Sequence, residues 1–309
     1  MAAHPMDVYA VPQRLVKVGR RRRLNVHITG EGSPTVILSA GGGCTTLHWG
    51  LVQPMLSATN RVFAFDRAGM GFSDPGPLPR LTSRSLADLR AALKATGTEP
   101  PYVLVGHSMG SFDMQLFAFL HPEEVAGMVL VDPRGDRVFE RFGAAVPSMA
   151  VAAQRQRRQV LRNAVIAAQR PEPDSAAYEA LAAPPEPQLT DAVNAALRDA
   201  TLRPSTWRTI ASEGASLDGA SMEELDAARR HLGKMPLIVL TAANAVAMFA
   251  LPAKHSATAK ALWETTHDEL AQLSDRGERR DVLDCGHMIP VERPEAVVAA
   301  IRDVIAAGA

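Results

Sequence analysis

Ser108, Asp132 and His287 are the residues of this 309-residue chain whose types and settings could together do covalent chemistry. Ser108 is the centre of Gly106-His107-Ser108-Met109-Gly110, a G-x-S-x-G stretch between the apolar run YVLV and a helix-periodic segment. A strand-to-helix turn this tight strains its central residue and needs small neighbours on either side. It would present the hydroxyl at the carboxyl end of a strand, where a helix N-terminus favours developing negative charge. The plain alternative is a buried serine at an ordinary turn. A serine hydroxyl is a weak nucleophile, so a base must take its proton as it attacks. His287, in DCGHMIPVERPEAV, lies past a strand in a glycine-containing loop before the last helix, and it is the candidate base. His107 is expected to point away from the Ser108 hydroxyl and to be structural.

The base needs an acid to hold its tautomer and stabilise the imidazolium, and two strand ends could supply it. PLIVLTAA runs on into NAVAMFALPAKHSATAKALWE, which carries no acid until Glu264, whereas GMVLV is followed at once by Asp132. Asp132 is therefore the expected acid, with Asp136 and Glu264 as alternatives; its competing role is to cap the loop that follows. For the tetrahedral oxyanion, one backbone donor would be Met109 N–H. The second would come from the glycine run of SAGGGCTTLHW, with Gly42 preferred over Gly43. No G-K-[ST] follows those glycines, so they do not read as a phosphate cradle. Asp66 and Arg67, in FDRAGMGFSD, are expected to brace a glycine turn. His48 stands near the oxyanion loop, where packing is favoured over substrate contact. His255 and His267 lack metal-ligand spacing, and neither a metal nor a cofactor is expected.

Positioning such a set requires alternating strands and helices. Strands are predicted at 14–18, 24–29, 35–40, 61–66, 102–106, 127–132, 236–243 and 280–287, and helices at 85–96, 108–121 and from Pro294 onward. Continuous apolar strands between amphipathic helices imply an α/β fold with a parallel sheet covered on both faces. Residues 135–232, rich in Ala, Arg, Gln and Glu with proline clusters at 171–173 and 184–187, break the rhythm. They read as an inserted helical cap (lid), leaving 1–134 and 233–309 as the core. The cap, the stretch 245–251 and the histidine loop should form a largely hydrophobic substrate pocket, with Gly43, Met248, Met288 and Ile289 as candidate lining residues.

Composition narrows the partners. Lys plus Arg and Asp plus Glu both total 33, so the formal net charge is zero, and nothing favours nucleic acid or an anionic membrane. The basic run at 20–23 reads as a solvated hairpin tip rather than a binding patch. Two separated cysteines, Cys44 and Cys285, make no disulfide framework and are expected to be passive thiols. Residues 1–13 lack the apolar stretch of a signal peptide, and no run approaches the ~18 apolar residues of a membrane span. The expectation is a cytoplasmic protein acting on a small molecule. The oligomeric state is open, a homo-oligomer included.

Taken together, SAGGG, FDRAGMGFSD, PYVLVGHSMGS, MVLVDP, PLIVLTAA and CGHMIPVERPEAVV resemble, in order, the α/β-hydrolase superfamily and its capped members. The resemblance implies an eight-stranded, mostly parallel sheet, a site between core and cap, and acyl transfer through an acyl-enzyme. Three positions depart from the family pattern: Ala40-Gly41 replaces the usual His-Gly, Ser111 replaces a glycine after the elbow, and the acid position after the seventh strand is vacant. Some members, dehalogenase-like and lactonase enzymes among them, carry the acid after the sixth strand, as Asp132 would. Relatives with an aspartate nucleophile cleave carbon–halogen bonds or epoxides; a serine excludes that chemistry. The expected activity is a serine hydrolase (esterase or lactonase) of carboxylic esters or lactones of apolar small molecules, with a lactonase specific for a bulky ring lactone as the runner-up. Peptidase, amidase, C–C hydrolase and acyltransferase activities rank lower. The reading from a different class is a non-catalytic ligand-binding protein on the same scaffold.

Overall fold

The apolar runs VILS, YVLV and MVLV become the centre of a single sheet. The computed structural model describes residues 4–172, 175–182 and 184–308; Pro173, part of one predicted proline cluster, lies outside them. Eight strands are β1 (Arg14–Lys17), β2 (Arg23–Thr29), β3 (Thr35–Ser39), β4 (Val62–Phe65), β5 (Tyr102–His107), β6 (Val125–Val131), β7 (Leu237–Ala242) and β8 (Gly277–Val282). Their order is β1-β2-β4-β3-β5-β6-β7-β8, with β1 and β2 antiparallel and every pairing from β4 to β8 parallel.

Side chains alternate across the central strands and so divide between two cores. Leu104, Met128 and Leu130 face one side, where α2 (Thr82–Thr96) and α3 (Gly110–Leu120) supply Leu86, Leu89, Leu93, Phe112 and Phe117. Val103, Val105, Val129 and Val131 face the other. There α1 (Gln53–Ser57), α10 (Ala253–Ala271), the single turn α11 (Ile289–Glu292) and α12 (Pro294–Gly308) pack. The apolar stripe of α12 is buried through Val297, Val298, Ile301 and Val304. Helix α2 ends at Gly97, whose φ of 64° closes the helix in the left-handed region.

Between β6 and β7 lie six helices: α4 (Val138–Ala145), α5 (Pro147–Ala168), α6 (Ala176–Leu181), α7 (Asp191–Thr201), α8 (Pro204–Leu217) and α9 (Ala220–Ala228). Among the described residues this segment has no strand.

One expectation needs correction. The last strand occupies Gly277–Val282 rather than 280–287, and Leu283 beyond it is 70% exposed. GERRDV is a charged edge strand, so its pairing leaves no apolar run to betray it. The N-terminal stretch also holds a short 3-10 helix, Pro5–Ala10, whose Met6 and Tyr9 are buried beside Leu47 and Val193.

Candidate active site

The strand order brings four loops to one end of the sheet. β5 lies between β3 and β6, with Ser39 opposite Gly106 and Val131 opposite His107. The chain beyond β5 is thus flanked by the glycine loop on one side and by Asp132 on the other. The pairing continues past the strands: Ser108 N–H donates to Val131 O at 3.0 Å, and Asp132 N–H donates to Leu240 O at 2.8 Å.

Ser108 has a φ of +51°, a left-handed conformation that a serine adopts only where its surroundings impose it. The two glycines show the imposition. A Cβ on Gly106 would lie 2.6 Å from Gly110 O, and one on Gly110 would collide with Ser39 O. Ser111, the departure from the usual glycine, bonds Ser108 O through its hydroxyl at 2.6 Å and so helps fix the turn.

His287 bridges the other two residues. Its Nε2 is 2.9 Å from Ser108 Oγ and its Nδ1 is 2.6 Å from Asp132 Oδ2. An ionised carboxylate only accepts, so Nδ1 carries the proton and Nε2 is left to accept from the serine hydroxyl. Asp132 is fully buried, with a φ of +40°, and its Oδ1 accepts from Ala242 N–H and Trp263 Nε1–H, each at 3.0 Å. Burial opposes ionisation of Asp132. The bond and charge of His287, with help from Trp263, outweigh that penalty and hold the carboxyl below the ordinary aspartate range. Burial likewise opposes protonation of His287, but Asp132 prevails and raises the imidazole above its usual value. The other two candidate acids face elsewhere, Asp136 pairing with Arg229 and Glu264 with Lys260.

Of the supports of this array, only His107 is one that the sequence marks as structural. His107 does not approach the serine as a base; its Nε2 bonds the carbonyl of His287 at 2.9 Å. Glu292 receives Gly286 N–H at 2.7 Å and Met288 N–H at 3.3 Å, clamping the histidine loop on both sides. His267, buried and thereby held neutral, donates from Nε2 to Pro133 O and accepts the Thr241 hydroxyl, both at 2.8 Å. It fixes the turn just past Asp132. The one sequence cue for these was the run HMIPVERPE, in which Glu292 follows His287 by a single helical turn and a half. Nothing local marks Trp263 or His267, which come from α10.

At the glycine loop, a Cβ on Gly42 would lie 3.9 Å from Met109 Cβ, so the two candidate oxyanion donors are neighbours. Among the described residues, neither Met109 N–H nor Gly42 N–H finds an acceptor. His48 is buried, and its Nδ1 accepts Thr45 N–H at 3.1 Å, a capping role in the turn after the loop. Asp66 does brace its turn, accepting Phe72 N–H at 3.0 Å and also Thr46 N–H at 2.8 Å. Arg67 closes the same turn through its carbonyl, which accepts Met70 N–H at 2.9 Å, while its guanidinium reaches the carbonyls of Ala40 and Gly41.

The expected lining residues are dispersed. Ile289 is fully buried in the core under α12, and Met248 is 45% exposed. Met288 packs with the cluster of Leu47 and Val193, and Gly43 looks toward Ile210. The reason is that α11 begins at Ile289 and turns that side chain inward. A cavity of about 20 Å³ beside Met109 is lined instead by polar groups, Arg67, Asp113 and Glu213 among them. Cys44 and Cys285 are free, and burial pushes the Cys285 thiol up to about 12. Among the described residues, His121, Glu123 and Glu124 bring three metal-ligand atoms within 4.8 Å of one another. Arg90 holds Glu124 with both nitrogens, however, and the group sits beyond the end of α3 remote from the serine, a helix about 16 Å long. No helix among the described residues is long and apolar enough to cross a membrane.

Comparison with known proteins agrees with this architecture. The model of a family described as "Alpha/beta hydrolase family" matches residues 36–300. The uncharacterized protein YqjL of Bacillus subtilis is 24% identical over 279 residues, covering 90% of this chain and 86% of YqjL. An esterase from Thermogutta terrifontis superposes with a TM-score of 0.64 at 22% identity, covering 95% of this chain and 97% of its own. The epoxide hydrolase CorEH superposes with a TM-score of 0.66 at 18% identity, over the same shares. At such identities these two structures speak for the fold alone.

Proposed function

The chain belongs to the alpha/beta hydrolase family, a family of hydrolases, and from that premise we propose that it is a serine hydrolase of carboxylic esters or lactones. The observation that carries this reading is the His287 bridge, 2.9 Å to Ser108 Oγ and 2.6 Å to Asp132 Oδ2. A binding site has no need of an imidazole held in one tautomer against a strained serine.

In this reading Ser108 Oγ attacks the substrate carbonyl carbon while His287 Nε2 takes the hydroxyl proton. The carbonyl π electrons move onto oxygen, and Met109 N–H and Gly42 N–H stabilise that oxyanion. The tetrahedral adduct collapses, the alkoxide leaves with the proton from His287, and an acyl-serine remains. Water then attacks the acyl-serine, giving its proton to the same nitrogen. Collapse of the second adduct returns that proton to Ser108 and frees the acid. Asp132 stays ionised throughout and stabilises the imidazolium. An aspartate nucleophile, as epoxide opening through an alkyl-enzyme would require, does not stand at this position.

The test is labelling with a fluorophosphonate, followed by turnover of p-nitrophenyl esters of increasing acyl length beside aromatic lactones. Labelling at Ser108, abolished in Ser108→Ala, is expected together with ester or lactone hydrolysis. An unlabelled Ser108 in a folded chain, with ligand affinity unaltered in Ser108→Ala, would overturn catalysis in favour of binding.

A further inference from the structure

Arg67 and Glu213 form an ion pair almost shut off from water, with side chains 2% and 8% exposed and Nε 2.9 Å from Oε1. The pair joins the residue after Asp66, just past β4, to the middle of α8 in the helical segment. A buried pair of this kind gains little net stability from its charges, so its value lies in what it orients. The guanidinium has further work at its other end. Nη1 donates to Ala40 O, and Nη2 donates to Gly41 O at 2.8 Å, an oxygen that also accepts Cys44 N–H at 3.1 Å.

Gly41 O and Gly42 N–H belong to one trans peptide and point in opposite directions. Fixing the oxygen on the Arg67 side therefore aims the Gly42 N–H away from it. That N–H, beside Met109 and without an acceptor among the described residues, is the donor assigned above to the oxyanion. A planar fork can hold two adjacent carbonyls and a carboxylate at once, which a lysine cannot.

We infer that Arg67, held by Glu213, is a positioning residue that orients the Gly41–Gly42 peptide for the oxyanion, so that the seating of α8 sets the catalytic competence of the glycine loop. The inference rests on the serine-hydrolase reading. The site is thus assembled from both parts of the chain: nucleophile, base and acid from the strand ends, and the set of the oxyanion loop through a carboxylate of the helical segment. Asp113 lines the same small cavity but bonds Ser39 and Ser85 rather than Arg67.

The test compares Arg67→Lys and Glu213→Gln with the wild type, after thermal melts establish that each variant folds. Three quantities are read: kcat and KM on a p-nitrophenyl ester, the inhibition constant of an alkyl boronic acid, and hydrogen exchange across residues 40–44. The boronic acid places a tetrahedral oxygen where the oxyanion forms. Arg67→Lys should lower kcat by about 10–100-fold, within the cost of losing an oxyanion donor, while KM changes less than threefold. Boronate affinity should fall in parallel, and exchange at 41–44 should quicken. Glu213→Gln should move all three in the same direction by a smaller factor. A fall in kcat with boronate affinity and exchange unchanged would overturn the inference, as would unaltered kcat in a variant whose loop exchanges faster. If the wild type neither labels nor turns over, the serine-hydrolase reading falls. Exchange then decides the orienting role by itself: faster exchange at 41–44 upholds it and unchanged rates overturn it.

Discussion

Asp132 shows how much of an acid's behaviour comes from its partners. Fully buried, it would ordinarily favour the protonated form, yet three donors from two strand ends and α10 keep it charged. That charge sets the pH dependence. In the proposed mechanism turnover needs neutral His287, and Asp132 raises the imidazole above its reference value of ~6.5. The rate should therefore rise with pH through a midpoint above ~6.5. A pH profile of kcat/KM checks this, and a midpoint at or below that value would contradict it. Asp132→Asn should lower kcat by about 10⁴-fold and move the midpoint toward lower pH, since the anion that stabilises the imidazolium is gone. Trp263→Phe keeps the packing but removes one donor to a charged oxygen, a bond worth about 1.5–3 kcal/mol. Roughly tenfold slower turnover is expected with the protein still folded.

At the scale of elements, Ser108 and Asp132 each sit one residue beyond a strand and His287 lies in the loop after β8, and backbone approaches too close for a side chain make the turn between β5 and α3. Gly110→Ala would drive a methyl into Ser39 O on β3, and neither strand nor helix can yield without breaking pairings. A loss of at least about 1–3 kcal/mol is expected from such overpacking, read as a lower urea midpoint. Helix α12 offers the opposite test. Ile301 is fully buried against the sheet, and Ile301→Ala should cost about 2–5 kcal/mol. Because only the single turn α11 separates α12 from the histidine loop, slower turnover should accompany that loss.

Over the whole molecule, the helical segment is not separate from the core it interrupts. Phe142 and Met149 from α4 and α5 join the cluster of Val131 and Trp263, and Leu217, Met222 and Leu225 from α8 and α9 join that of Phe112 and Phe117. Helix α7 packs through Val193 on the N-terminal Met6 and Tyr9. Such shared cores should unfold together, so calorimetry is expected to show a single transition with matching calorimetric and van't Hoff enthalpies. Two resolved transitions would show an independently stable cap. A hollow of about 590 Å³ lies at the β1–β2 hairpin among Arg20, Arg21, Arg22 and Arg23, on the sheet edge opposite β8. There Arg22 pairs with Asp88 and Arg23 with Asp74.

Local pattern was enough to locate the elbow, its strand and helix and the sheet's apolar core, because each depends on neighbours a few residues apart. An apolar run, a glycine at a close approach and an acid at a strand end carry their meaning within one turn of chain. The charged edge strand β8 escaped because its stability comes from pairing with β7 rather than from an apolar face of its own. Tertiary structure alone decided what surrounds the working residues. Trp263 and His267 reach Asp132 and Pro133 across more than 130 residues of sequence, and Glu213 reaches Arg67 across 146. Such partners meet only because the sheet closes and the helices settle on it, and burial then makes every unpaired charge costly enough to fix the pairing.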